Sequence, residues 1–195
     1  MGLLIALAAL TATLASVFAY YPVTATLSPT NPPVYFATGT NANQDDIGND
    51  NKITVTIGSN GASLSFTVHP TYQTCYWKNI TIIKNDDSKA YNIYLRVDTQ
   101  ISGLPSDATV RIYVYNKDAT RSLSRSSSSS PPEPQSGYVR YVDLTTTGTT
   151  SIGQLSGNSF YEIDVYTYIP EGSTLPSSAS AKLLLIYTLS SEEPP

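Results

Sequence analysis

The sequence predicts an all-β protein, an antiparallel sandwich or jelly roll. Three observations carry that expectation. After Pro22, apolar and polar residues alternate with period two in run after run. Clusters of Gly, Pro, Asn and Asp cut these runs into short lengths, as turns do. No segment past the leader repeats apolar residues at helical spacing. Composition agrees, since 15 tyrosines in 195 residues favour strands, and only 13% of residues are charged against ~25% in ordinary soluble chains.

Residues 1–19 (MGLLIALAALTATLASVFA) are uncharged and rich in Ala and Leu. They predict a signal peptide cleaved after Ala19, because Val17 and Ala19 place aliphatic and small side chains at the −3 and −1 positions. The same stretch approaches the ~20 residues that span a bilayer. A retained membrane anchor and a pilin-type core helix are therefore competing uses. In each case the chain leaves the cytoplasm, and it meets the membrane only during export or through a retained leader.

The first strand expected is Val23–Leu27, in which Val23, Ala25 and Leu27 alternate with Thr24 and Thr26. It is followed by Ser28–Pro33, a spacer whose three prolines favour an extended chain. Pro33–Thr38 reads as the next strand and Asn41–Asn51 as a polar loop. Ile53–Ile57 and Leu64–Val68 flank Gly58-Ser-Asn-Gly61, the pattern of a hairpin. Further strands are expected at Trp77–Lys84, Tyr91–Asp98, Val110–Asn116, Tyr138–Leu144, Phe160–Ile169 and Ala181–Leu189. Leu123–Gly137 (LSRSSSSSPPEPQSG) reads as a low-complexity projection too polar to bury anything. Ser190–Pro195 is a short acidic tail.

The residues offer little chemistry. A net charge of −4 argues against nucleic acid as a partner, and a single Cys rules out an intrachain disulfide. His69 precedes Pro70 at a strand end, and no second His stands one helical turn away, so a zinc-peptidase motif is absent. Asp45, Asp46 and Asp50 could offer oxygen ligands to calcium, but the spacing and closing Glu of an EF-hand are missing, and a solvated loop is the favoured reading. Asp86-Asp87 is a turn signature. Cys75 is expected to be buried beside Tyr76 and Trp77 rather than to act as a nucleophile. Asn79-Ile80-Thr81 is a candidate N-glycosylation sequon that requires Asn79 to point outward, and the Ser tract is a candidate for O-linked sugar. No nucleophile–base pair, phosphate loop or paired carboxylates emerge, so neither an enzyme nor a cofactor or metal is expected.

The leader ending in Ala19-Tyr20, the short strand after it, Phe36-Ala37-Thr38-Gly39-Thr40, and the strand–NDDS–strand run Lys78–Val97 together resemble the TasA/camelysin family of secreted biofilm-fibre subunits. In character they are closest to archaeal bundling pilins. The resemblance implies a jelly-roll subunit that assembles outside the cell as a head-to-tail homopolymer, open to lateral bundling. Its mature N-terminal segment would add a strand to a neighbour. Residues 20–33 would then be donor strand and spacer, with Tyr20, Tyr21, Val23, Ala25 and Leu27 at the subunit interface, and residues 34–195 the sandwich domain. The residues themselves leave two arrangements open, because a strand on an extended tether either reaches another subunit or folds back on its own sheet. Beside the filament subunit stand a membrane-anchored adhesin binding glycans on a Tyr-rich sheet face, and a type IV-like pilin using residues 1–19 as core helix.

Overall fold

The computed structural model describes residues 22–175 and 179–192. The chain divides into residues 1–30 and 31–195. In the first unit the described residues, 22–30, have no regular secondary structure and are exposed. The strand expected at Val23–Leu27 is therefore not formed: its alternation is present, but no strand among the described residues pairs with it. Ala19, Tyr20 and Tyr21, and with them the cleavage site, lie outside the described residues.

The second unit is all-β, with no α-helix among the described residues and none long and apolar enough to cross a membrane. Its strands are β1 (Val34–Thr38), β2 (Thr54–Ile57), β3 (Leu64–Thr67), β4 (Gln73–Asn85), β5 (Tyr91–Thr99) and β6 (Thr109–Asn116). They continue as β7 (Leu123–Ser124), β8 (Glu133–Pro134), β9 (Tyr138–Asp143), β10 (Gly148–Leu155), β11 (Ser159–Ile169) and β12 (Lys182–Leu189). Five of them form one sheet in the order β1-β4-β11-β6-β9, and three form a second in the order β10-β5-β12. Every pairing is antiparallel.

Period-two alternation builds the core between the two sheets. Val110, Ile112 and Val114 of β6 and Tyr161 and Ile163 of β11 face Ile93, Leu95 and Val97 of β5 across it, with Val34, Phe36 and Ile83 beside them. Burying each such aliphatic side chain stabilises the fold by ~1.5–3 kcal/mol. The hairpin β2–β3 covers a second cluster in which Ile53, Val55, Cys75, Trp77, Ile80 and Val165 meet. Cys75 is buried as expected, on the Trp77 side of β4. Tyr76 points to the opposite face.

Simple alternation fails at two strands. The sequence does not predict β10, because its bulge between Ser151 and Gly153 sets its buried apolar residues, Ile152 and Leu155, three apart. In β4, Thr81 pairs with Ile163 and Trp77 with Val165, so three residues of β4 stand opposite the single Asp164. The middle one of the three, Asn79, has φ of 44°. Asn tolerates that left-handed geometry better than most residues.

Candidate functional site

The central strand β11 is buried on both faces. One face feeds the core. The other carries Glu162, Asp164 and Tyr166 beside Tyr113 and Tyr115 of β6. Such a face needs a cover, and the long β6–β9 connection supplies it. Arg121 from that connection lies between the two carboxylates. Its Nε donates to Asp164 Oδ2 at 3.0 Å, and its Nη2 donates to Glu162 Oε2 at 2.5 Å and to Asp164 Oδ1 at 3.2 Å. Its Nη1 donates to the Ala119 carbonyl at 2.6 Å, and the guanidinium stacks 4.2 Å from the Tyr115 ring centroid.

Asp164 is fully buried, and the Arg121 side chain is 6% exposed. Asp164 also accepts the Asn79 N–H at 2.7 Å and the Tyr76 hydroxyl, while Asn79 Nδ2 donates to Glu162 Oε1 at 3.2 Å. The bulge in β4 thus aims a backbone N–H at a carboxylate that a regular ladder would have left to its neighbours. Burial alone would lower the Arg121 pKa; the bonds and charge of Asp164, then of Glu162, outweigh it and raise it. The Tyr76 pKa is raised, first by burial and then by the Asp164 charge.

Further out, Arg111 donates to Glu133 Oε2 at 2.8 Å and lies 4.8 Å from the Tyr141 ring centroid. Tyr113 meets Tyr138 and Tyr166 edge-on, with ring centroids 5.0 and 6.0 Å apart. Leu123–Gly137 is therefore not a free projection. Its Pro134 is buried, Glu133 pairs with Arg111, and the Pro132 carbonyl accepts from Thr74 Oγ1 at 3.2 Å. Residues 123–129 and 135–137 of the segment are exposed, whereas residues 130–134 between them are partly or fully buried.

This arrangement is a clamp. Arg121 spends its donors on two carboxylates and a carbonyl, pinning the connection across the sheet. It also removes two expected surfaces. Tyr113, Tyr115 and Tyr166 are buried, so the tyrosine face is not an open platform for a glycan. Asn79 is 6% exposed with its amide turned onto Glu162, which reverses the outward orientation that glycosylation requires. The alternation with Ile80 misleads because the bulge rotates the strand at Asn79.

The acidic loop Asn41–Asn51 is likewise tied down rather than converging on a cation. Asp45 pairs with Lys52 at 2.9 Å. Asp46 accepts from Trp77 Nε1 at 2.5 Å, from the His69 N–H at 2.8 Å and from the Ile47 N–H at 2.7 Å, with His69 Nδ1 at 2.9 Å. Among the described residues no group of three or more His, Cys, Asp or Glu is placed to hold a metal ion.

Of the expected interface residues, Val23 and Leu27 are 90% and 91% exposed, and Ala25 between them is exposed as well. Sequence reasoning misses Arg121, Glu162 and Asp164. Two acids alternating with Tyr161, Ile163 and Val165 look like a solvated strand face, and nothing in the pattern says that a polar connection covers it. No protein-family model matches the chain, and no curated protein shows significant similarity to it.

Proposed function

We propose that this protein is the structural subunit of an extracellular filament, a pilus or matrix fibre, polymerising by donation of its N-terminal segment Tyr20–Leu27 to the next copy. The leader 1–19 directs secretion and is removed after Ala19, freeing that segment. The reading rests above all on Val23–Leu27, which has the residue pattern of a half-buried strand yet exposes Val23 and Leu27 almost completely. A pair of aliphatic side chains four residues apart on one face, left in water, is best supplied with a partner by a second molecule.

The magnitudes say what the strand does and does not contribute. Burying Val23 and Leu27 yields ~1.5–3 kcal/mol each. Ladder hydrogen bonds add ~0.5–1.5 kcal/mol apiece, against an association cost of ~4–15 kcal/mol. Strand donation therefore fixes register and direction, and contacts between subunit bodies supply the rest. Register follows from the pleat, because a slip of one residue would turn Thr24 and Thr26 inward. Head-to-tail donation does not close on itself, which gives an open filament.

The test compares exported full-length protein with a form lacking residues 20–27, by electron microscopy and sedimentation. Filaments from the first and folded, non-polymerising monomers from the second are expected. Ordinary filaments from the shortened protein would refute the mechanism.

A further inference from the structure

Resting on that reading, we propose that the free edge of β12 is the acceptor. Tyr20–Leu27 of a second copy pairs antiparallel with β12, turning Val23, Ala25 and Leu27 toward the core. The argument begins with strand order. Numbered along the chain, the eight long strands β1, β4, β5, β6, β9, β10, β11 and β12 form sheets of order 1-2-7-4-5 and 6-3-8. A jelly roll sets strands 2-7-4-5 against 1-8-3-6. The orders coincide except at one place: the position of strand 1, beside strand 8, holds no strand among the described residues. The first long strand of this chain, β1, sits instead on β4 in the other sheet. Strand 8 is β12, and the segment just ahead of β1 is the one that sequence order assigns to the missing place.

The other edges are closed. β9 and β10 are consecutive strands at neighbouring ends of the two sheets and lie against each other. The outer edge of β1 carries the Ser59–Gly61 turn, set so close that a Cβ on Gly61 would lie 2.8 Å from the Phe36 carbonyl oxygen. Along β12, β5 is the only hydrogen-bonded strand among the described residues.

The side chains match the vacancy. Tyr91, Ile93, Leu95 and Val97 of β5 are buried, whereas their β12 partners Leu189, Tyr187, Leu185 and Leu183 are only partly so. A row of four apolar residues lies half-covered at an edge with which no strand among the described residues pairs. The alternation of the donor sequence sets Val23, Ala25 and Leu27 on one face, and its Thr24 and Thr26 would then lie outside next to Leu184, Ile186 and Thr188. Strand addition supplies both the missing ladder and the missing cover.

The experiment uses full-length exported protein in two populations, each in a Cys75→Ala background. One carries Thr24→Cys; the other carries Leu184→Cys, Ile186→Cys or Thr188→Cys on the outer face of β12. Control populations carry Thr38→Cys on β1 or Arg140→Cys on β9. Populations are mixed as monomers, allowed to polymerise and then oxidised, since a disulfide forms only where paired strands bring Cβ atoms together. The expected result is a disulfide between chains at one β12 position, at least about tenfold more abundant than with either control. Filaments that crosslink at β1 or β9 and not at β12 would overturn the acceptor assignment while leaving strand donation standing. A crosslink confined to single chains, when Thr24→Cys and Ile186→Cys share one molecule, would overturn it as well. Absence of any filament from the parent protein would refute the filament reading and the acceptor with it.

Discussion

Replacing Arg121 by Met tests whether the clamp holds the sheet together. Methionine keeps much of the side-chain volume but removes the cation. Asp164, fully buried, and Glu162, 7% exposed in its side chain, are then left facing each other with no counter-charge. Breaking one partner out of a buried ion pair costs ~3–5 kcal/mol, chiefly from the charge left behind. The stacking on Tyr115 adds up to ~2 kcal/mol where it is shielded from water. Against a total stability of ~5–15 kcal/mol for a domain, a loss of ~3–5 kcal/mol is large. Urea unfolding followed by Trp77 fluorescence and circular dichroism reads it directly. A second variant combines Arg121→Met with Glu162→Gln and Asp164→Asn. These amides keep acceptors for the Tyr76 hydroxyl and the Asn79 N–H without the charge, so stability should largely return. A single variant losing less than ~1 kcal/mol, or a triple variant no better than the single, would refute the charge-clamp argument.

Other consequences are accessible to simpler measurements. Tyr91, through its bond to Asp87, and Tyr113, through burial, are each pushed up to about 12. With folded values above the unfolded one near ~10, their contribution is complete below that pH and lost as pH rises through about 12. Tyrosinate absorbance should therefore show a late class of tyrosines appearing together with loss of β signal, and one early transition with the fold intact would contradict the packing. Burial would raise the Asp46 pKa, but the hydrogen bonds from Trp77, Ile47 and His69 outweigh it and hold it below the usual carboxylate range. That stability is present above the unfolded pKa of ~3.9 and lost as pH falls through the folded value, so Asp46→Asn should flatten the acid limb of a stability–pH curve. Cys75→Ala should cost ~1–2 kcal/mol through the small cavity, and alkylation of the native thiol should be as slow as unfolding; rapid labelling of folded protein would place Cys75 elsewhere. Gly61→Ala should strain a backbone at φ of 68° and push the turn off Phe36, giving disordered association through the exposed β1 edge, measurable by light scattering.

The legible part of this fold is what period-two alternation encodes. The hairpin around Gly58–Gly61 and the strands β1, β4, β5, β6, β9, β11 and β12 fall within a few residues of their expected positions, because each keeps apolar side chains on one face over several pleats. β10 escapes because its bulge breaks that rhythm. The sequon at Asn79 misleads for the same kind of reason: three residues of β4 stand opposite one of β11, and a local pattern carries no trace of its partner's register. The clamp is illegible because Arg121 lies 41 residues before Glu162 and in a connection that composition marks as solvated. Charge in such a connection predicts exposure on average; here two acids on β11 and a bulge in β4 together make a buried place for it.

The clamp and the β12 edge answer one physical problem differently. A two-sheet protein must dispose of the outer faces and the unpaired edges of its sheets. Here the tyrosine face of the five-stranded sheet is sealed by a connection fixed with an ion pair, at the cost of burying three charges. The β1 edge is shielded by a turn that only glycine can bring so near. β12, by contrast, carries Lys182 at one end and then seven residues, LLLIYTL, without another charge. Edge protection by charge, proline or bulge is absent along those seven residues, although the same chain guards β1 with a left-handed glycine. An edge so apolar is a liability in a protein meant to stay alone and an asset in one built to be joined. The exposed Val23 and Leu27 make the same argument from the other side, since each feature is unfavourable in isolation and the strand addition proposed above would remove both at once.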